Sequence, residues 1–149
     1  SRARARDAER KNDLRQIQSA LEMYHNDNGR YPGESTAIGN QKINPFRWGL
    51  DAFTDIDPDY PSGDNPDTIY MPVLPGDPAM PGAQYYYEVN DTRTKYRLCA
   101  FIENEEDTDI QPDALALQYV CSENDDSSTS YCNYCVSSSN ATLSETEGW

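Results

Sequence analysis

Four cysteines and a run of carboxylates are the groups in this 149-residue chain whose types and spacing offer chemistry. Cys132-Asn133-Tyr134-Cys135 is a C-x-x-C pair, with Cys99 and Cys121 upstream. A redox pair wants a strand before it and a helix after it. Here the flanks are SSTSY and VSSSN. A zinc site would need all four thiolates. An even count in an acidic, Tyr-rich chain favours structural bridges instead, and with them an exported protein. Glu103, Glu105, Glu106, Asp107, Asp109 and Asp113 crowd one loop. Calcium is the hard cation that takes such oxygens, and a solvated, self-repelling loop is the plainer reading. Asp55-Ile56-Asp57-Pro58-Asp59 opens like an EF-hand loop, but Tyr60 and Pro66 stand where that loop needs Gly and Glu. His25 is the single histidine, so neither a His-based triad nor a multi-His metal site can be built. No Gly-rich phosphate loop follows a strand, and the acids lie in loops without an apolar pocket to raise a pKa. No enzyme is expected.

The element that must position everything else is the first. Residues 3–28 read as one amphipathic helix, because Leu14, Ile17, Leu21 and Tyr24 recur at steps of three and four, with Ala20 and Asn28 on the same stripe. Gly29 supplies a C′ residue and Pro32 bars resumption. From Ser1 to Asp13 the only apolar residues are alanines. The C-terminal half of the helix is therefore expected to pack on a domain, and the N-terminal half to project as a solvated stalk. Residues 30–69 read as a long loop punctuated by glycine and proline, with Trp48, Leu50, Phe53 and Ile56 giving it an apolar side. Residues 70–82 are a Pro-rich connector. Residues 84–90 and 95–103 read as strands joined at Asn90-Asp91-Thr92, with Tyr96, Leu98, Ala100 and Ile102 facing the helix. Residues 114–121 read as a third strand, and Ser122 to Trp149 as loop or disorder.

The fold expected is α+β, one domain in four stretches. A helix over 1–29 is followed by a loop and connector over 30–83, an antiparallel sheet over 84–121 and a Cys-containing tail over 122–149. If the second and third strands pair, Cys99 can face Cys121. That favours Cys99–Cys121 with Cys132–Cys135, and leaves the other two pairings open. Asn90-Asp91-Thr92 and Asn140-Ala141-Thr142 match a glycosylation sequon by pattern.

Charge is distributed unevenly. Residues 1–30 hold seven basic residues against five acids (+2), and residues 31–149 five against twenty-one (−16). Such an acidic head repels nucleic acid and anionic membranes. The Arg-rich start carries three acids and no interleaved aromatics, unlike a nucleic-acid arm. It suits the interface beside a membrane segment, near lipid phosphates.

The run from Ala5 to Pro32, ending in Tyr24, Asp27, Asn28, Gly29, Tyr31 and Pro32, resembles type IV pilins and type II secretion pseudopilins just after their hydrophobic helix. It is closest to the major pseudopilin G type. Tyr70-Met71-Pro72-Val73-Leu74-Pro75-Gly76-Asp77-Pro78 resembles the same family, as do Tyr85-Tyr86-Tyr87 and the run from Tyr96 to Asn104. The match covers roughly residues 3–106.

The resemblance implies a subunit of an extracellular or periplasmic helical filament, used for adhesion, motility, secretion or DNA uptake. Its partners would be copies of itself and the assembly machinery. It would meet the membrane only through an apolar segment before Ser1, and its head would bind no nucleic acid directly. Arg2 to Arg15 would line the boundary between filament core and heads, and residues 30–69 would be the αβ-loop exposed on the filament. The resemblance also implies a calcium site between strands, with Asp107, Asp109 and Asp113 as ligands. A second reading is an adhesin-type minor pilin, a module that presents Tyr85, Tyr86 and Tyr87 to glycans or host surfaces.

Overall fold

A computed structural model describes residues 2–35, 41–59, 66–123, 129–146 and 148–149. Gly39, Pro61 and Gly63, three of the loop markers in the sequence, lie outside these. The long helix α1 spans Arg2–Asn28, close to the range its periodicity predicts. The Gly29 amide closes it on the His25 carbonyl at 2.8 Å, and Gly29 has φ 76°, the left-handed conformation that glycine takes without a Cβ penalty.

Short strands β1 (Glu34–Ser35) and β2 (Lys42–Ile43) pair antiparallel, as do β3 (Phe53–Thr54) and β4 (Ile69–Met71). The central sheet has three antiparallel strands: β5 (Tyr86–Val89), β6 (Tyr96–Ala100) and β9 (Tyr134–Ser137), in the order β5-β6-β9. Between β6 and β9 come the short helix α2 (Pro112–Ala116) and the pair β7 (Val120–Glu123) and β8 (Thr129–Tyr131). The architecture is thus α+β, a long N-terminal helix packed on small antiparallel sheets.

Two expectations are corrected. Residues 114–121 are not the third strand of the sheet: Pro112 begins a helix, and its missing N–H costs nothing in a first turn. The third strand comes from the tail expected to be loop, where Tyr134–Ser137 pairs with β6 in the register Cys99↔Cys135 and Leu98↔Val136. The Ser- and Asn-rich flanks mask this strand in composition.

Alternation along β6 divides two cores. Tyr96, Leu98 and Ala100 face α1 and join Leu14, Ile17, Leu21 and Tyr24 in the main cluster. Trp48, Phe53, Tyr70, Leu74, Tyr85 and Tyr87 are among its other members. Cys99 points the other way, into a smaller cluster with Ala114, Cys121, Cys132 and Cys135, flanked by Tyr86, Phe101 and Tyr119. Arg97, 3% exposed, lies on that same side and holds down the end of the chain. Its Nη2 donates to the carbonyls of Thr142 (3.0 Å) and Glu145 (2.6 Å), and the Trp149 ring covers its guanidinium at 3.8 Å.

Candidate functional site: the charged foot of the long helix

The apolar stripe of α1 continues toward its N-terminus without a break in period, but the residue types change. Leu14, Ile17, Leu21 and Tyr24 are 0–1% exposed, and one turn earlier the same face carries Arg10 and Asp7 at 1% and 2%. The stalk expected to project into solvent is instead docked on the head through ion pairs. Helical phase buries a residue at those positions whatever its type, and the chain supplies partners for each charge.

Arg10 is the centre. Its Nε and Nη2 donate to the two carboxylate oxygens of Asp77 at 2.8 and 2.9 Å, a bidentate fork. Its Nη1 donates to Asp7 at 2.8 Å and to Glu103 at 2.6 Å. Arg6 makes a second fork to Glu103, at 2.7 and 2.9 Å. Asp7 in turn accepts from the backbone amides of Glu103 (2.9 Å) and Asn104 (3.0 Å). Asp77 also accepts from the Ala79 amide at 2.8 Å, which places it in the Pro-rich connector. The foot therefore ties three distant segments together: the helix, the connector and the chain leaving β6.

Electrostatics follow the geometry. Burial opposes the charge on Arg10, but hydrogen bonds to Asp77 and Glu103 outweigh it and raise the pKa above that of a free guanidinium. Glu103 is pushed down to about 2, chiefly by the hydrogen bond from Arg6 and then, against burial, by Arg10. Farther along the helix, burial raises the pKa of Asp13, whose carboxylate accepts the Tyr85 hydroxyl at 2.7 Å.

The acidic loop is engaged by the same helix. Lys11 Nζ donates to Asp107 at 2.7 Å and Asp109 at 2.8 Å, and this hydrogen bond lowers the Asp107 pKa. Asp113 lies apart from them, exposed in the first turn of α2. The donors do not fit calcium: an ammonium stands between two of the three expected ligands, and among the described residues no three His, Cys, Asp or Glu side chains are grouped to hold a metal.

The four cysteines are all bridged, but not in the favoured pairing. Cys99 bonds Cys135 and Cys121 bonds Cys132. The cause is the change of sheet partner, because β9 puts Cys135 directly opposite Cys99. The tyrosine run is not a surface patch either. The Tyr85 and Tyr87 hydroxyls donate inside the main core, to Asp13 and to the Pro32 carbonyl, while half-buried Tyr86 stacks on Tyr119 at 4.2 Å. Asn90 accepts the Thr94 and Lys95 amides within its turn, donates its own amide to the distant Gly148 carbonyl and is 4% exposed. Asn140 is exposed. Half-buried His25 packs its ring on Tyr31 at 4.5 Å.

Sequence reasoning missed Asp7, Arg10 and Asp77. The signal available was the phase of the helix, since positions 7 and 10 precede 14 and 17 by a full heptad. What this foot can do is mechanical: it fixes the direction in which a 27-residue helix leaves the head. No family model matches this chain, and neither does any curated protein or solved structure.

Proposed function

We propose that this chain is the head and lower helix of a pilin-like subunit that assembles into an extracellular or periplasmic helical filament. The observation that supports the reading is α1. It is 27 residues long, about 40 Å at 1.5 Å per residue, and held against the head from Arg6 onward, by ion pairs before Asp13 and apolar packing after it. A subunit built by stacking helices needs such a fixed exit direction, since each copy must repeat the geometry of the last. The outward face of α1 stays polar, with Arg2, Arg4, Arg15, Gln16 and Ser19 exposed. The reading calls for an apolar helical segment of about 20 residues ahead of the chain, stored in the membrane before assembly.

The test is to place the chain behind such a segment and express it with an assembly machinery. Filaments containing the chain, seen by electron microscopy and lost when the machinery is omitted, are the expected result. A product that inserts in the membrane but never polymerises would sink the reading.

A further inference from the structure

One recess in the head combines apolar walls with an ammonium that is not ion-paired. It is lined by Trp48, Leu50 and Met80, with Lys42, Arg47 and Gln84 around them, and holds about 180 Å³. Three segments build it. Lys42 comes from β2, Trp48 and Leu50 from the turn that follows, and Met80 and Gln84 from the chain leading into β5. The turn is pinned where the Gly49 amide donates to the Leu74 carbonyl at 2.7 Å. The Met80 sulfur packs into the wall beside Gly49 and Gly76, where a Cβ on Gly76 would collide with it.

The polar groups of the recess are not equally committed. Arg47 forks onto Asp51 through its Nε and Nη2, at 3.0 Å each. Lys42 makes no ion pair among the described residues, and its charge reaches Asp51 only through space. Lys42, Arg47 and Asp51 therefore leave one positive charge, in a chain whose residues 31–149 sum to −16. The other basic residues of that stretch are engaged, Arg93 with Asp57, Lys95 with Glu145 and Arg97 with the end of the chain. Trp48 supplies an independent sign. It is 3% exposed, yet its indole N–H meets no acceptor among the described residues, whereas Trp149 gives its own to Glu145. A buried donor left without an acceptor is rare and forfeits the free energy of a hydrogen bond.

We propose that this recess binds a small organic acid, a carboxylate carried on an apolar body of a few carbons. Its volume lies below the roughly 300–1,000 Å³ of sites for drug-sized ligands, which sets the size class. The carboxylate pairs with Lys42, and the apolar body covers Leu50, 65% exposed, and lies on Met80 and the Trp48 ring. The same carboxylate supplies the acceptor that the Trp48 N–H lacks. That N–H is closed off from solvent, and Met80 is the wall that gives way, because an unbranched thioether repacks at little cost. A neutral ligand leaves Lys42 unanswered, a cation is repelled by it, and an inorganic anion has no apolar body to bury. The recess takes no residue from α1, so the proposal does not depend on the filament reading.

The test is a titration of the full chain, labelled with nitrogen-15 and followed by its two indole N–H resonances. Hexanoate is the probe, with hexanol, acetate and hexylamine as comparisons. Hexanoate is expected to move the Trp48 resonance saturably, with half-saturation at about 1 mM or below, and to leave that of Trp149 in place. Hexanol and acetate each lack one half of the ligand and bind at least about tenfold more weakly, and hexylamine leaves the Trp48 resonance unmoved. Lys42→Met removes the preference for hexanoate over hexanol, and Lys42→Arg keeps it. The comparison of ligands on the unsubstituted chain decides the matter even where a variant fails to fold. A Trp48 resonance unmoved by about 10 mM hexanoate, hexanol or hexylamine binding as tightly as hexanoate, or a preference that survives Lys42→Met would each overturn the site.

Discussion

At the scale of single residues, Arg10 carries the largest electrostatic load. It is almost wholly buried and satisfies three carboxylates at once, Asp7, Asp77 and Glu103. Removing one partner of a buried ionic cluster leaves the others uncompensated, at a cost of about 3–5 kcal/mol. Arg10→Ala is therefore expected to lower unfolding stability by that amount in urea titrations, and Arg10→Lys to recover only part of it, because an ammonium cannot make the fork to Asp77. A loss under about 1 kcal/mol for the alanine variant would show the cluster to be energetically neutral.

Two glutamates give opposite pH responses. Glu103, held near 2 by Arg6 and Arg10, contributes stability that is present above the ordinary carboxylate range and is lost as pH falls toward 2. Glu34 is raised to about 7, first by burial and then by Glu88 nearby, against the hydrogen bond from Gln41. Its ionisation opposes folding, so stability falls as pH rises from about 4.5, its unfolded value, through 7. Glu34→Gln should flatten the profile between pH 5 and 8, and Glu103→Gln should flatten only the acid limb, both read as denaturation midpoints against pH. A wild-type profile already flat near neutrality would contradict the raised pKa of half-buried Glu34.

At the scale of elements, β9 holds the greatest surprise. Four residues from a Ser-rich tail complete the central sheet, and their register places Cys135 against Cys99. The neighbouring bridge, Cys121–Cys132, ties β7 to the chain just after β8 and closes the second core over Ala114 and Tyr119. Proteolytic mapping without reduction should recover peptides joining Cys99 to Cys135 and Cys121 to Cys132. Finding Cys132 joined to Cys135 would mean that β9 does not pair with β6. Replacing both Cys99 and Cys135 with serine is expected to cost about 2–5 kcal/mol, the usual range for a native bridge in a small domain.

At the scale of the whole molecule, charge is sorted along the chain. The net charge is −14; residues 1–97 account for −3 and residues 98–149 for −11. The foot of α1 neutralises part of the acidic half internally, through Arg6, Arg10 and Lys11. The remainder repels itself across an exposed surface, and repulsion between exposed charges is screened by salt far more than buried pairs are. Raising ionic strength from low salt to about 0.15 M should therefore raise the thermal unfolding midpoint. A midpoint that falls would mean that exposed pairs such as Arg47–Asp51 outweigh the repulsion.

What the sequence alone determined is what short-range rules encode. Steps of three and four place Leu14, Ile17, Leu21 and Tyr24 on one helical face, Gly29 ends that helix, and alternation marks β5, β6 and the α1-facing side of Tyr96, Leu98 and Ala100. These depend on neighbours within a few residues, so they survive without knowledge of the fold. The tertiary structure decided which distant groups meet. Arg10 reaches Asp77 across 67 positions and Cys99 reaches Cys135 across 36, and no local pattern records either distance. The same holds for the foot itself. A charged residue at a helix position facing the head reads as solvated until the fold brings a carboxylate to it, because burying a charge is tolerable only when its partner is already in place.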